Sequence, residues 1–225
     1  MPVSMSVRVS DDLDVLSLSA LMSSRLCHDL INPVGALTSG LEVLADESMD
    51  EGMKEAAIDL IKSSAERSVA LLKYARLAYG AAGGSGAELP YDEAHSVLKG
   101  MFAWSKASLD WRIAPGYAPK DEVKALLVLT LAAADCAPRG GSVVVEGKRG
   151  GFAIKASGGR IIVQEEMTRA LAGDIFELKP KFAPHYLAAL AARQAGGGVD
   201  VHAEEGAVSF EARFIAAPSA ALTAG

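Results

Sequence analysis

Long uninterrupted apolar runs are missing from this sequence of 225 residues, although half of its residues are hydrophobic. A helix that crosses a membrane needs about 20 consecutive apolar residues, so the sequence predicts a protein without membrane contact. The first ten residues also lack the apolar stretch and small-residue cleavage site of a secretory signal. We therefore expect a globular, cytoplasmic protein.

Cysteine is scarce, and the two cysteines, Cys27 and Cys136, lie far apart in apolar stretches. This arrangement predicts two buried thiols in a reducing compartment, with no disulfide. The four histidines, at positions 28, 95, 185 and 202, show no metal-ligand spacing with one another or with cysteine. We therefore expect no metal ion or other cofactor that the chain holds by itself.

Clusters of basic residues are also missing. The chain has a net charge of −6, and residues 1–82 carry 7 Lys and Arg against 12 Asp and Glu. Proteins that bind nucleic acid need cationic side chains along their binding face. This charge pattern excludes nucleic acid as a direct partner.

The first third of the chain does contain strong helical periodicity. Three acids at positions 11, 12 and 14 open a helix that we expect from Val15 to Ala45, and a second helix follows from about Asp50 to Ala81. The second helix has two apolar stripes: Met53, Ala57, Leu60 and Leu71 on one, Ile58, Ile61, Ala65 and Leu72 on the other. Because a two-helix hairpin buries only one stripe of each helix, residues 12–81 are predicted to form a homodimeric four-helix bundle.

A glycine-rich stretch from Gly80 to Pro90 ends this periodicity and reads as a linker. We place a helical domain at residues 1–82, the linker at 83–90 and a second domain at 91–225. The second domain reads as an α/β unit, and its tail after residue 215 is expected to be frayed. Its predicted elements are a helix near 92–101, a strand near 109–113, a helix over 119–135, a hairpin over 142–157, helices near 164–171 and 182–194, and a final strand pair over 198–214.

One stretch of the first helix, Arg25 to Pro33, carries several polar residues. Residues three and four apart share a helix face, so Arg25, His28 and Asn32 form a polar strip, and Asp29 lies beside the histidine. Pro33 lacks the backbone N–H that a helix interior normally uses, at a cost of about 3 kcal/mol. A helix that carries this cost is expected to do so for a functional reason.

The run from His28 to Pro33, HDLINP, resembles the phosphoacceptor motif of two-component sensor histidine kinases, which is His, acid, any residue, often Arg, Asn and Pro. Ile31 stands where the basic residue is common. The order of elements in residues 89–215 is likewise similar to the ATP-binding domain of these kinases. The resemblance implies a dimeric helical hairpin followed by an α/β sandwich.

The sequence departs from the kinases where they bind ATP. Ala132 stands where the kinases have an Asn that holds Mg²⁺ and phosphates, and Ala156 where an Asp binds the adenine amine. Residues 179–187 contain no glycine where the kinases have a glycine-rich phosphate loop. Pro138, Gly140 and Gly141 of the neighbouring motif remain. We therefore expect that the chain does not bind ATP.

A histidine kinase layout with these losses resembles the dimeric histidine phosphotransferases of alphaproteobacterial phosphorelays. Such proteins take phosphate from the aspartate of one receiver domain, as in a hybrid histidine kinase, and pass it to the aspartate of a response regulator. The resemblance implies that Mg²⁺ comes from the receiver domain. It also makes His28 the nucleophile, since neutral imidazole attacks acyl phosphates near neutral pH.

The neighbours of His28 have two possible roles each. Asp29 is a candidate to hold the imidazole tautomer, and Arg25 and Asn32 are candidates to bind phosphoryl oxygens. Alternatively, Arg25 belongs to a solvated helix face, and Asn32 satisfies the backbone at the proline. Two other functions also stay open: an ATP-dependent histidine kinase with divergent motifs, and a non-catalytic dimeric scaffold that binds receivers.

Overall fold

A computed structural model describes residues 13–80 and 87–215 of the chain. The helices are α1 (Val15–Ala45), α2 (Glu51–Ala78), α3 (Tyr91–Phe102), α4 (Lys120–Asp135), α5 (Glu165–Ala172) and α6 (Ala183–Gln194), with a 3-10 turn (Pro180–Phe182) before α6. The strands are β1 (Glu88–Pro90), β2 (Ala107–Trp111), β3 (Tyr117–Pro119), β4 (Gly141–Lys148), β5 (Gly151–Ser157), β6 (Gly198–Glu204) and β7 (Ala207–Arg213).

An aspartate immediately before each helix of the hairpin caps its first turn. The Asp14 carboxylate accepts the N–H of Ser17 at 3.0 Å, and the Asp50 carboxylate accepts the N–H of Met53 at 2.8 Å. Each bond satisfies one of the backbone donors that a helix leaves free at its start. The predicted bounds of α1 are confirmed, whereas α2 ends at Ala78 rather than Ala81. The two other acids expected to open α1, at positions 11 and 12, lie outside the described residues.

The two hairpin helices pack closely against each other at Gly40. A Cβ atom there would lie 2.6 Å from Cγ1 of Ile61 and 3.2 Å from the carbonyl oxygen of Ala57. Ala57 and Ile61 come from different predicted stripes, so the face that α2 turns towards α1 takes residues from each. Several other large apolar side chains of the hairpin are exposed, and they include Val34, Leu41, Met53, Ile58, Leu60, Val69 and Leu72.

The α/β domain is built on a five-stranded sheet in the order β2-β4-β5-β7-β6. β2 and β4 are parallel, and the other neighbours are antiparallel. The buried helix α4 packs with α6 against one face of this sheet, and inward residues such as Val143, Ile154 and Phe210 complete the core. The helical hairpin followed by an α/β domain confirms the predicted fold class.

A second, small sheet pairs β1 with β3 and was not predicted. Each of these strands has three residues and ends in proline, so neither shows the alternation by which a strand is recognised. The pair lies beside the start of α4 and closes that end of the core.

The hairpin and the α/β domain are in direct contact. The backbone N–H of Leu13 donates to the hydroxyl of Tyr186 at 3.2 Å, and the Lys124 amine donates to the carbonyl of Gly80 at 2.8 Å. Residues 81–86, which include the first half of the linker predicted at 83–90, lie outside the described residues, as does the tail after residue 215. The second half of that predicted linker includes β1. No helix within the described ranges has the length and apolarity required to cross a membrane.

The prediction for one cysteine was wrong. Cys136 is buried as expected, but Cys27 is exposed. Only part of the circumference of α1 is covered, by α2 and the α/β domain, and Cys27 lies on the uncovered part beside His28. An apolar stretch in a hairpin helix therefore does not imply burial of every residue in it.

Two glycines of α1 offer a matched test of the close helix approach. Alanine is favoured over glycine in a helix by about 1 kcal/mol, and a Cβ at Gly35 would meet nothing within 4 Å. We expect Gly35→Ala to raise the free energy of unfolding and Gly40→Ala to lower it, because the new methyl group displaces Ile61. Chemical denaturation of both variants checks this, and stabilisation by Gly40→Ala would contradict the observed approach.

Candidate functional site

His28 lies near the middle of α1, and 79% of its side chain is exposed. Its Nδ1 atom is 3.5 Å from Oδ1 of Asp29, which is within ion-pair distance but longer than a normal hydrogen bond. Because Nδ1 faces this carboxylate, Nε2 on the other side of the ring is the atom open to an incoming group.

The principal partner of Asp29 is Arg25 rather than His28. Arg25 Nε donates to Oδ2 of Asp29 at 2.7 Å, and its Nη1 donates to the carbonyl of Lys181 at 3.2 Å. Desolvation opposes the guanidinium charge, but the charge of Asp29 and the hydrogen bond to it outweigh this and raise the pKa of Arg25. The Arg25 side chain is 23% exposed, so its interpretation as part of a solvated helix face was wrong.

Asn32 is exposed on α1, and its side chain makes no hydrogen bond within the described part of the chain. Pro33 is buried, and α1 continues through it to Ala45. Since proline has no N–H, the carbonyl of Asp29 lacks its usual helical donor. The alternative in which the Asn32 amide satisfies the backbone at this point has no hydrogen bond to support it.

The four predicted site residues line a cleft between the hairpin and the α/β domain, with a volume of about 340 Å³. They are Arg25, His28, Asp29 and Asn32. The structure therefore brings together all four predicted site residues. Four other residues of the cleft were not among the predicted site residues: Arg67 on α2, Asp135 on α4, Lys181 in the 3-10 turn and His185 on α6. They come from three separate parts of the chain, since only Lys181 and His185 lie close in sequence, and no sequence motif predicts that these parts meet.

Two titratable groups in the cleft are perturbed by the surrounding protein. The Asp135 carboxyl is solvent-accessible at the cleft wall, yet desolvation raises its pKa, and Arg25 and Lys181 only partly oppose this. His185 is buried, and its Nδ1 has no hydrogen-bond partner. Desolvation and the nearby charge of Arg25 lower the pKa of His185 to about 3, so its imidazole is neutral near pH 7.

The inner wall of the cleft includes two tyrosines, Tyr74 and Tyr79, whose rings pack edge to face with centroids 5.5 Å apart. Burial raises the pKa of Tyr79 to about 12 and that of Tyr74 well above its usual value, so both hydroxyls keep their protons. The charged groups of the cleft therefore lie against an uncharged wall.

The positions of the kinase ATP motifs hold small apolar residues. Ala132 on α4 is 2% exposed and also lines the cleft, while Ala156 on β5 is fully buried. Gly141, which the chain shares with the kinase motif, lies where no side chain fits, because a Cβ there would lie 2.2 Å from the carbonyl oxygen of Ser157. Among the described residues, no three His, Cys, Asp or Glu side chains are grouped as a metal ion would require.

Comparisons with known proteins identify relatives of this chain. Residues 91–207 match the family described as histidine phosphotransferase C-terminal domain. Over 211 residues the chain is 36% identical to protein phosphotransferase ChpT of Brucella abortus strain 2308, covering 89% of this chain and 97% of that protein. A bacterial phosphotransferase solved at 1.7 Å is 34% identical and aligns with a TM-score of 0.80, over 92% of this chain and 100% of that one.

The buried His185 predicts a specific dependence of stability on pH. An unfolded chain protonates this histidine below pH 6.5, whereas the native protein does so only near pH 3. The free energy of unfolding should therefore fall as the pH falls between these values, with a slope of about 1.4 kcal/mol per pH unit from this group. We expect His185→Gln to flatten the profile measured by denaturation from pH 7 to pH 4.

His202, which is exposed on β6, provides the matched control. The His202→Gln variant should retain the slope of the unmodified protein. An equal slope in all three proteins would contradict the assignment to His185, whatever the absolute stability of the variants.

Proposed function

Because this chain belongs to the histidine phosphotransferase family and is thereby a phosphotransferase of a phosphorelay, we propose that His28 carries the phosphoryl group. The observation that carries this proposal is the exposed imidazole with Nδ1 towards Asp29 and Nε2 free, at the mouth of a cleft lined by cations. His28 is also the histidine within the HDLINP motif. Its donor and acceptor are aspartates of receiver domains, first in a hybrid histidine kinase and then in a response regulator.

The proposed step is attack by a neutral imidazole on an acyl phosphate. The lone pair of Nε2 forms a bond to phosphorus, and the bond between phosphorus and the aspartyl oxygen breaks, leaving its electron pair on the carboxylate. The proton on Nδ1 stays on the ring, facing Asp29. Reversal of the same step on another receiver returns the phosphoryl group to an aspartate.

Asp29 would act by holding the His28 ring in position. Its Oδ2 binds Arg25, which leaves Oδ1 to face the His28 ring at 3.5 Å. A small side-chain rotation shortens this contact to a hydrogen bond that holds the proton on Nδ1 and develops with the positive charge on the ring. We assign Arg25 to fixing Asp29, and Asn32, whose amide is unengaged, to the phosphoryl oxygens.

The proposal includes no use of ATP. Ala132 and Ala156 supply no polar atom for Mg²⁺ or for adenine, and the stretch from Lys179 to Leu187 has no glycine to wrap phosphates. The chain has no cofactor of its own in this scheme. Mg²⁺ to balance charge during transfer would be held by the acidic pocket of the partner receiver, and the reaction would take place in the cytoplasm.

The function is tested by following phosphate onto the protein. We expect label to move from radiolabelled phospho-receivers to the unmodified chain and to the His202→Ala control, and His28→Ala to accept none, because it lacks the nucleophile. Labelled ATP with Mg²⁺ should label none of these three proteins. Labelling by ATP alone would indicate a kinase, and no labelling by any of a broad panel of receivers would favour a scaffold.

We also propose that the protein is a homodimer through its hairpin. Ile58, Val69 and Leu72 recur at helical spacing on α2 and are each 42–50% exposed, and Val34 and Leu41 on α1 are exposed as well. An apolar stripe of this length on a soluble helix normally packs against another helix. A second hairpin would supply the two helices that complete a four-helix bundle.

Charged substitutions in this stripe should separate the protomers. Light scattering of the unmodified protein should give twice the chain mass of 23.3 kDa, whereas Ile58→Glu with Leu72→Glu should give the monomer mass, since charges are costly to bury between helices. Tyr117→Glu, at an exposed apolar position on the α/β domain, is the control and should stay dimeric. A monomer mass for the unmodified protein at micromolar concentration would refute the proposal.

A further inference from the structure

The three cations that line the cleft differ in their hydrogen-bond and ion-pair partners. Arg25 is bound to Asp29 and to the carbonyl of Lys181. The Lys181 amine donates to Oε1 of Gln164 at 2.9 Å and lies over the ring of Phe182. Arg67 lines the same cleft, yet it makes no ion pair or hydrogen bond with any residue that the structure describes.

The packing of the hairpin indicates how far Arg67 lies from His28 along the bundle. Gly40 on α1 faces Ala57 and Ile61 on α2, so residue 40 is level with about residue 59. The helices run in opposite directions, and eight residues from this level reach Asn32 on α1 and Arg67 on α2. Arg67 is therefore about level with Asn32, one helical turn from the level of His28, or about 6 Å along the helix axis.

The two acidic residues of the cleft interact with Arg25 and Lys181, which leaves Arg67 able to bind an anion. Asp29 balances Arg25, and Asp135 lies near both Arg25 and Lys181, whose charges act on its carboxyl. A phosphoryl group brings about two negative charges near pH 7. A guanidinium presents paired N–H donors that match phosphoryl oxygens, which a lysine cannot do in the same way.

We infer that Arg67 contacts the phosphoryl group as it passes to and from His28, and so serves as a catalytic residue supplied by α2. This inference rests on the proposed role of His28. In the transfer step, the bond between Nε2 and phosphorus forms as the bond to the aspartyl oxygen breaks, and Arg67 donates N–H groups to the non-bridging oxygens without exchanging a proton. Arg25, the cation of the predicted polar strip, instead holds Asp29 in place.

The test measures single-turnover transfer from a phosphorylated receiver over a range of receiver concentrations. We expect Arg67→Gln to lower the maximal rate by about 100- to 1,000-fold, the usual loss when one donor to a transition-state oxygen is removed. The receiver concentration at half-maximal rate should stay within about twofold. Arg67→Lys should recover part of the rate, because it restores the charge but not the paired donors.

Lys73→Gln is the matched control, since Lys73 is an exposed cation on the same helix that lies outside the cleft and has no ion pair among the described residues. It should transfer at the unmodified rate. A maximal rate unchanged in Arg67→Gln, or a loss confined to the half-maximal concentration, would overturn the inference and leave the role of His28 intact. Failure of the unmodified chain to accept label would instead remove the proposed function, and this inference with it.

Discussion

The geometry of the site depends on the bond between Arg25 and Asp29. It spans the single turn of α1 that contains His28, and through Nη1 of Arg25 it extends to the carbonyl of Lys181 in the α/β domain. One guanidinium therefore fixes the carboxylate beside the imidazole and also joins the helix that carries the imidazole to the second domain. Loss of either partner would leave a half-buried charge unpaired at the junction.

One of the two alanines that stand at kinase nucleotide-binding positions, Ala132, lies at this junction. In a domain that binds ATP, polar groups and a flexible glycine loop must stay available to the nucleotide. Here Ala132 lines the cleft, and the 3-10 turn that replaces the glycine loop supplies the carbonyl that accepts from Arg25. The same face of the domain now packs against the helical hairpin and forms one wall of the cleft around His28.

Much of this structure follows from local sequence signals. The bounds of α1, the order of elements in the α/β domain and the place of His28 on an exposed face rest on periodicity and on the capping residue Asp14, which act over a few residues. The exposure of Cys27, the engagement of Arg25 and the presence of Arg67, Asp135, Lys181 and His185 in one cleft could not be predicted in that way. They depend on how two domains pack, and the single sequence carries no pattern that encodes this packing.

Both ends of the segment that connects the hairpin to the α/β domain are hydrogen-bonded to α4. Gly80 accepts from the side chain of Lys124, and Ala87 accepts from the backbone N–H of Lys120, one turn earlier on the same helix. The folded body thus sets the separation of residues 80 and 87, independently of the chain between them. In general, doubling the length of a loop whose ends are fixed costs only about 0.6 kcal/mol, so related proteins are free to differ in the number of residues at this place without moving His28.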